Sequence, residues 1–102
     1  NVQTQTLTIT SGATTWNLAN GPIAFVTANQ PFSVSTTNLL IGTYILHVIQ
    51  DSTGGRSITW GSNFKWTAGV KPPAGTNPGQ RDIYTFTSDG TNMYGSFIPD
   101  VR

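Results

Sequence analysis

The sequence has no cysteine and no glutamate among its 102 residues. Without cysteine the chain can form no disulfide, no zinc–thiolate site and no cysteine nucleophile. Without glutamate, any chemistry that needs carboxylates depends on four aspartates. These two absences remove several classes of enzyme and of metalloprotein before any pattern in the sequence is considered.

Charge is scarce as well, with five basic and four acidic residues and a formal net charge of +1. The basic residues lie far apart along the chain: Arg56, Lys65, Lys71, Arg81 and Arg102. Surfaces that bind nucleic acid or anionic membranes need clustered lysine and arginine. No apolar run is long enough to span a bilayer. We therefore expect neither nucleic acid nor membrane insertion.

Short polar and apolar residues alternate through most of the chain. Threonine, serine, asparagine and glutamine are abundant, and apolar side chains recur with a period of two between turns rich in glycine, proline and asparagine. This pattern is typical of β-strands and not of helices. It predicts an all-β fold, an antiparallel β-sandwich or jelly roll of about eight or nine short strands. We expect residues 1–102 to form a single domain that is part of a longer chain.

The segment Gly42–Gln50 is the strongest strand candidate. Tyr44 shares one face with Leu46 and Val48, whereas His47 and Ile49 lie on the other face with Ile45. A strand that is apolar on both faces is covered on both sides. A second sheet is expected on one side, and a neighbouring subunit is a candidate for the other.

Residues 61–80 lose this alternation and predict a long ordered loop, which in so small a domain is often functional. After it, residues 82–87 and 92–98 predict a hairpin, because Asp89-Gly90 suits a tight turn.

The candidates for catalysis and metal binding are weak. Asp51 and Asp89 lie in predicted turns, and Asp82 is expected to make a local ion pair or turn bond. His47 lies in mid-strand, which predicts a buried or interface histidine rather than a catalytic one. No spacing of residues indicates a metal site. We predict no catalytic residues, no metal and no cofactor, and hence no enzyme.

The tryptophans divide into two groups. Trp16 and Trp60 occupy alternating positions that predict core packing. Trp66 follows Lys65 at the start of the irregular segment, where it either closes one end of the fold or faces a sugar or another partner. The sequence leaves both roles for Trp66 open.

Between Gly42 and Gly95 the chain carries four motifs in order: GTYILHVIQDSTGGRSITW, FKW, GVKPPAGTNPG and RDIYTFTSDGTNMYG. This order resembles a β-sandwich domain of bacteriophage virion proteins, found near the C-terminal end of tail fibres and related appendages. The matching positions are Gln50, Asp51, Gly54, Gly55, Arg56, Trp60, Lys65, Trp66, Pro72, Asp82, Phe86, Asp89, Gly90 and Tyr94. The first forty residues resemble this domain only in having short, threonine-rich strands.

The resemblance implies a non-enzymatic homotrimer in the virion, associated with other virion proteins. Under this hypothesis the domain contributes to host attachment through a surface glycan or receptor, with Asn63, Lys65, Trp66 and Lys71 as contact residues. Tyr44, His47 and Ile49 are then the expected subunit interface. Two alternatives stay open at this point: a capsid decoration protein that stabilises the phage head, and a free-standing carbohydrate-binding module.

Overall fold

Nine β-strands make up about half of the chain. The computed structural model describes residues 3–102, and two 3₁₀ helices, Leu18–Asn20 and Thr67–Gly69, are its only helical segments over that range. The strands are β1 (Thr4–Leu7), β2 (Ala13–Asn17), β3 (Ile23–Ala28), β4 (Phe32–Thr37), β5 (Gly42–Gln50), β6 (Ile58–Trp60), β7 (Phe64–Trp66), β8 (Arg81–Ser88) and β9 (Met93–Ile98). The all-β prediction and the strand count are confirmed. Among residues 3–102 there is no helix of the length and apolarity that crossing a membrane requires.

The first six strands alternate between two sheets, so that the chain winds in three successive coils. The larger sheet has the strand order β1-β3-β5-β8-β9-β7, and the smaller sheet has the order β2-β4-β6. Each strand of the first two coils pairs in parallel with the strand one coil later. Parallel neighbours need a crossover of about a dozen residues or more. Here the crossover is the strand that each coil contributes to the other sheet.

The prediction of an antiparallel arrangement is wrong for five of the seven strand pairs between residues 3 and 102. Only β5–β8 and β8–β9 are antiparallel. The period-two pattern reports which residues share a face and carries no information on strand direction. The one strong hairpin signal, Asp89-Gly90, does mark an antiparallel pair, and the predicted hairpin is confirmed as β8 and β9.

The predicted loop 61–80 contains a strand that the alternation pattern missed. Strand β7 is only three residues long and pairs in parallel with β9. After the 3₁₀ helix, residues 70–79 run without regular structure and are held by the buried side chain of Gln80. Its Oε1 accepts hydrogen bonds from the backbone N–H groups of Thr76 and Asn77, and its Nε2 donates to Asp82 Oδ1 at 2.9 Å.

Aromatic rings from both sheets meet in one hydrophobic core. Trp16 of the smaller sheet packs edge-on against Tyr44 and Phe86 of the larger sheet, with ring centroids 6.2 and 6.0 Å apart. Trp60 packs against Tyr84 with centroids 4.9 Å apart. Trp16 is fully buried and Trp60 nearly so, which confirms both as core residues. Edge-to-face contacts of this kind stabilise the core beyond the area that the rings bury.

Two leucines, one buried and one exposed, allow the position of this core to be tested. Leu46 on β5 is 0% exposed, whereas Leu40 in the preceding loop is 65% exposed. We predict that Leu46→Ala lowers the free energy of unfolding by about 2–5 kcal/mol, because it leaves a cavity between the sheets. The same substitution at Leu40 changes it by about 0.5 kcal/mol or less. Urea denaturation of both variants measures the difference, and equal effects would contradict the placement of the core.

Candidate functional site

The outer face of the larger sheet has a broad apolar region. Its members alternate with core residues along four neighbouring strands, and none of them is fully buried. They are Ile23, Phe25, Ile45, His47, Ile49, Ile83 and Ile98. The parallel and antiparallel registers place them side by side: Ile23 beside Ile45, and Ile83 between His47 and Ile98. We call this surface the apolar face.

His47 lies at the centre of the apolar face and is held from two sides. Its ring stacks at a tilt on Phe25, with centroids 4.8 Å apart. Its Nδ1 lies 2.9 Å from Nη1 of Arg81, which can only donate. Burial, and secondarily the positive charge of Arg81, lower the pKa of His47. The imidazole is therefore neutral near pH 7, with Nδ1 as the acceptor.

The predicted interface residues do not share one face. His47 and Ile49 lie on the apolar face, but Tyr44 points into the core and is only 7% exposed. Its hydroxyl donates to the Leu40 carbonyl oxygen at 3.1 Å. Because Tyr44 differs from His47 by an odd number of positions on one strand, the pleat sends its side chain to the opposite side. Tyr44 is thus a core residue, and the surface that another subunit could contact holds His47 and Ile49.

Beyond the apolar face, the same outer surface becomes polar over β8, β9 and β7. A depression of about 340 Å³ lies there. Hydroxyl groups dominate its lining, together with one ammonium group. The lining residues are Lys65, Trp66, Thr67, Thr85, Thr87, Tyr94, Gly95 and Ser96. We call this site the hydroxyl depression.

A second depression of about 240 Å³ adjoins the first at the sheet edge where β7 ends. Trp66, Thr67, Gly95 and Ser96 line both depressions, so the two form one continuous groove. The second depression is more apolar, because its remaining lining residues are Val70, Pro72 and Phe97. We call it the edge depression.

Trp66 and Gly95 lie where the two depressions meet. They pair across β7 and β9, and the Trp66 ring packs against Trp60 and Phe86 with centroids 5.0 and 5.5 Å apart. A Cβ atom on residue 95 would lie 2.6 Å from Trp66 Cζ3 and 2.7 Å from Phe86 Cε1. The indole can occupy this position only because residue 95 has no side chain. The Trp66 ring packs against the core on the side of β7 opposite to Lys65, and the residue borders both depressions.

Of the four contact residues predicted from the sequence, the structure brings Lys65 and Trp66 together in the groove. Asn63 is partly buried and donates from Nδ2 to Thr36 Oγ1 at 3.0 Å. Lys71 is exposed in the neighbouring loop, between two residues that line the edge depression, but does not line it itself.

Sequence reasoning missed the hydroxyl-bearing residues of the groove. Thr85 and Thr87 alternate with core residues on β8, and Tyr94 and Ser96 do so on β9. Their outward positions were predictable from the hairpin. Their proximity to Lys65 was not, because it depends on the pairing of β7 with β9.

The motif from Gln50 to Arg56 builds a turn. The Gln50 side chain accepts from the Arg56 N–H at 2.9 Å, and Asp51 accepts from the Gly54 N–H at 3.0 Å. Arg56 also forms an ion pair with Asp51 at 3.0 Å. Its hydrogen bond, followed by that from Gly54, lowers the pKa of Asp51. Gly54 has φ +75°, and a Cβ there would lie 2.8 Å from Pro78 N, so glycine is required where the turn meets the loop.

The other aspartates also make structural contacts. Asp89 accepts from the N–H groups of Asn92 and Thr91, which lower its pKa and close the hairpin turn. Asp82 is buried and accepts from Gln80 and from the Asp100 N–H. Of the local ion pair or turn bond expected from the sequence, the described residues show these hydrogen bonds and no ion pair with Arg81.

Within residues 3–102 no cluster of three or more histidine, cysteine or acidic residues could hold a metal ion.

Comparison with known proteins identifies the family. A family model described as "Putative phage tail fibre C-terminal domain" matches residues 2–93. The chain belongs to this phage tail fibre family. Neither curated proteins nor solved structures gave a significant match.

The family match extends the resemblance seen in the sequence. That resemblance was firm only from Gly42 to Gly95, whereas the match also includes the first two coils of the fold. A tail fibre domain is a structural component of the virion and associates with other virion proteins.

The contact between Gly95 and Trp66 can be tested by adding a single methyl group. We predict that Gly95→Ala lowers the free energy of unfolding by about 1–3 kcal/mol, because the new Cβ overpacks against two aromatic rings. Gly42→Ala is the matched control, since a Cβ there has its nearest neighbour at 3.6 Å and also lies on a strand. Thermal denaturation compares the two variants, and an equal response at both positions would contradict the close packing at Gly95.

Proposed function

We propose that this tail fibre domain is non-enzymatic, assembles as a homotrimer through its apolar face, and contributes to host attachment through its groove. The family match over residues 2–93 carries the proposal. The two surfaces on the outer side of the larger sheet support its two parts. Since the match is to a tail fibre domain and no observation favours the phage head, we do not propose capsid decoration.

The apolar face supports self-association. Contiguous apolar surface is uncommon on monomeric proteins and marks interaction sites. The outer face of a sheet is broad and nearly flat, and three such faces can enclose a threefold axis in a closed, symmetric assembly. In this arrangement Ile45, His47 and Ile49 of each chain lie near the axis, and the guanidinium group of Arg81, which lies beside Ile49 in the β5–β8 register, is hydrogen-bonded to His47.

The groove supports host contact. It borders the apolar face at Thr85, which pairs with Ile45, and extends away from it over β9 and β7 to the edge of the sheet. In the proposed trimer the β7 side of the groove lies at the periphery, where a surface receptor or glycan can reach it. Lys65 and Trp66 are the contact residues within the groove, and Lys71 extends the contact into the adjacent loop.

We predict that the protein sediments as a trimer and that Ile49→Lys makes it a monomer, because the ammonium group would be buried at the threefold axis. Ile41→Lys is the matched control, since Ile41 is 81% exposed and lies in a loop outside the apolar face. Analytical ultracentrifugation measures the masses, and circular dichroism verifies that both variants fold. A monomeric wild-type protein would refute the trimer.

We predict that virions carrying Lys65→Ala together with Tyr94→Ala adsorb to host cells about tenfold more slowly, as expected when two contact side chains are truncated. Lys71→Ala is expected to have a smaller effect because Lys71 lies outside both depressions. Arg102→Ala, at the other end of β9, serves as the control. Adsorption at the wild-type rate by the double variant would show that the groove does not contact the host.

A further inference from the structure

We propose that the hydroxyl depression binds a sugar unit that carries a negative charge, either a carboxylate or a phosphate. The inference rests on the proposed attachment function and names the class of ligand for that site. It follows from the charge and the hydroxyl groups of this depression and from the apolar surface of the edge depression beside it.

Lys65 supplies the selectivity for charge. It is exposed on β7, and it is the one ionised side chain that lines either depression. No carboxylate lines the groove, so an anionic ligand meets attraction there without direct repulsion. An exposed ion pair of this kind contributes modestly, by about two- to fivefold in affinity.

One carboxylate contacts a residue that lines the depression. Asp89 accepts a hydrogen bond from the Tyr94 hydroxyl at 3.1 Å. It also accepts from two backbone N–H groups of the hairpin turn. These three donors partly offset its negative charge, and the contact fixes the Tyr94 ring at the wall of the depression.

The hydroxyl groups supply the polar contacts that a sugar needs. Thr85 lies beside Ser96 and Thr87 beside Tyr94 in the β8–β9 register, which places four hydroxyl-bearing side chains in a compact array. Over residues 3–102, the side chains of Thr85, Thr87 and Ser96 have no hydrogen bond to another protein group. A hydroxyl can both donate and accept, as the hydroxyl groups of a sugar also do.

The edge depression supplies the remaining contact. Its lining residues Val70, Pro72 and Phe97 offer an apolar surface to the C–H groups of a sugar ring. The volume of the hydroxyl depression, about 340 Å³, lies near the lower end of the range of small-ligand sites, roughly 300–1,000 Å³, and that of the edge depression, about 240 Å³, lies just below it. The groove thus fits a short saccharide rather than a folded partner.

The experiment is a titration of the ¹⁵N-labelled protein with D-glucuronate, D-glucose 6-phosphate, D-glucose and inorganic phosphate, followed by NMR. We expect shifts at Lys65, Thr85 and Ser96 with both anionic sugars, and two- to fivefold weaker binding of D-glucose. The anionic sugar that binds with the higher affinity shows whether the depression prefers a carboxylate or a phosphate. Equal binding of D-glucose, or equal binding of inorganic phosphate alone, would overturn the proposal.

Two variants locate the interaction. Lys65→Gln keeps the length and polarity of the side chain and should remove the preference for the anionic sugars over D-glucose. Arg102→Gln removes one positive charge remote from the groove and should preserve that preference. If both variants lose the preference equally, the effect belongs to the net charge of the protein, and the assignment to Lys65 is wrong.

The same Lys65→Gln variant separates this inference from the attachment function. Slower host adsorption by Lys65→Gln virions, combined with no shift from either anionic sugar, would refute the ligand class and leave host attachment supported. Sugar binding that depends on Lys65, combined with unchanged adsorption, would refute the attachment function and leave the sugar site supported.

Discussion

The register between neighbouring strands determines where the outer surfaces of this domain lie. Because paired residues of neighbouring strands point to the same side of the sheet, their side chains stack in rows across it. Ile23 therefore lies beside Ile45, and Phe25 beside His47. A shift by one residue would turn each of these side chains into the core. The apolar face is thus a direct product of strand pairing, and the hydroxyl depression depends in the same way on the pairing of β8, β9 and β7.

The sequence was sufficient to predict the strands and much of the core, but not the direction in which the strands pair. Alternation identified β5 as a two-sided strand and Trp16 as a core residue, because both properties follow from the pleat alone. Strand direction depends on partners one coil away, and the loops between coils differ in length. Strand β7 was missed because three residues are too few for alternation to show.

The candidate site was only partly predictable from the sequence, because its residues come together through strand pairing. Lys65 and Trp66 drew attention as a charged and an aromatic residue in an irregular segment, and both line the groove. Thr85 and Ser96 belong to a hairpin whose pattern is explained by folding alone. Only the three-dimensional pairing of β7 with β9 shows that they face the same depression. The Gln50–Arg56 motif is the opposite case. Its glycines and charged residues are conspicuous in the sequence, but in the structure they form a turn.

The lengths of the strands have a consequence for the edges of the larger sheet. In the larger sheet the longest strands, β5 and β8, lie in the interior, and the edges are formed by β1 and β7, of four and three residues. Exposed edge strands offer unpaired N–H and C=O groups on which other chains can add, and short edges reduce that hazard. This order of strands therefore limits uncontrolled edge-to-edge aggregation between neighbouring fibres.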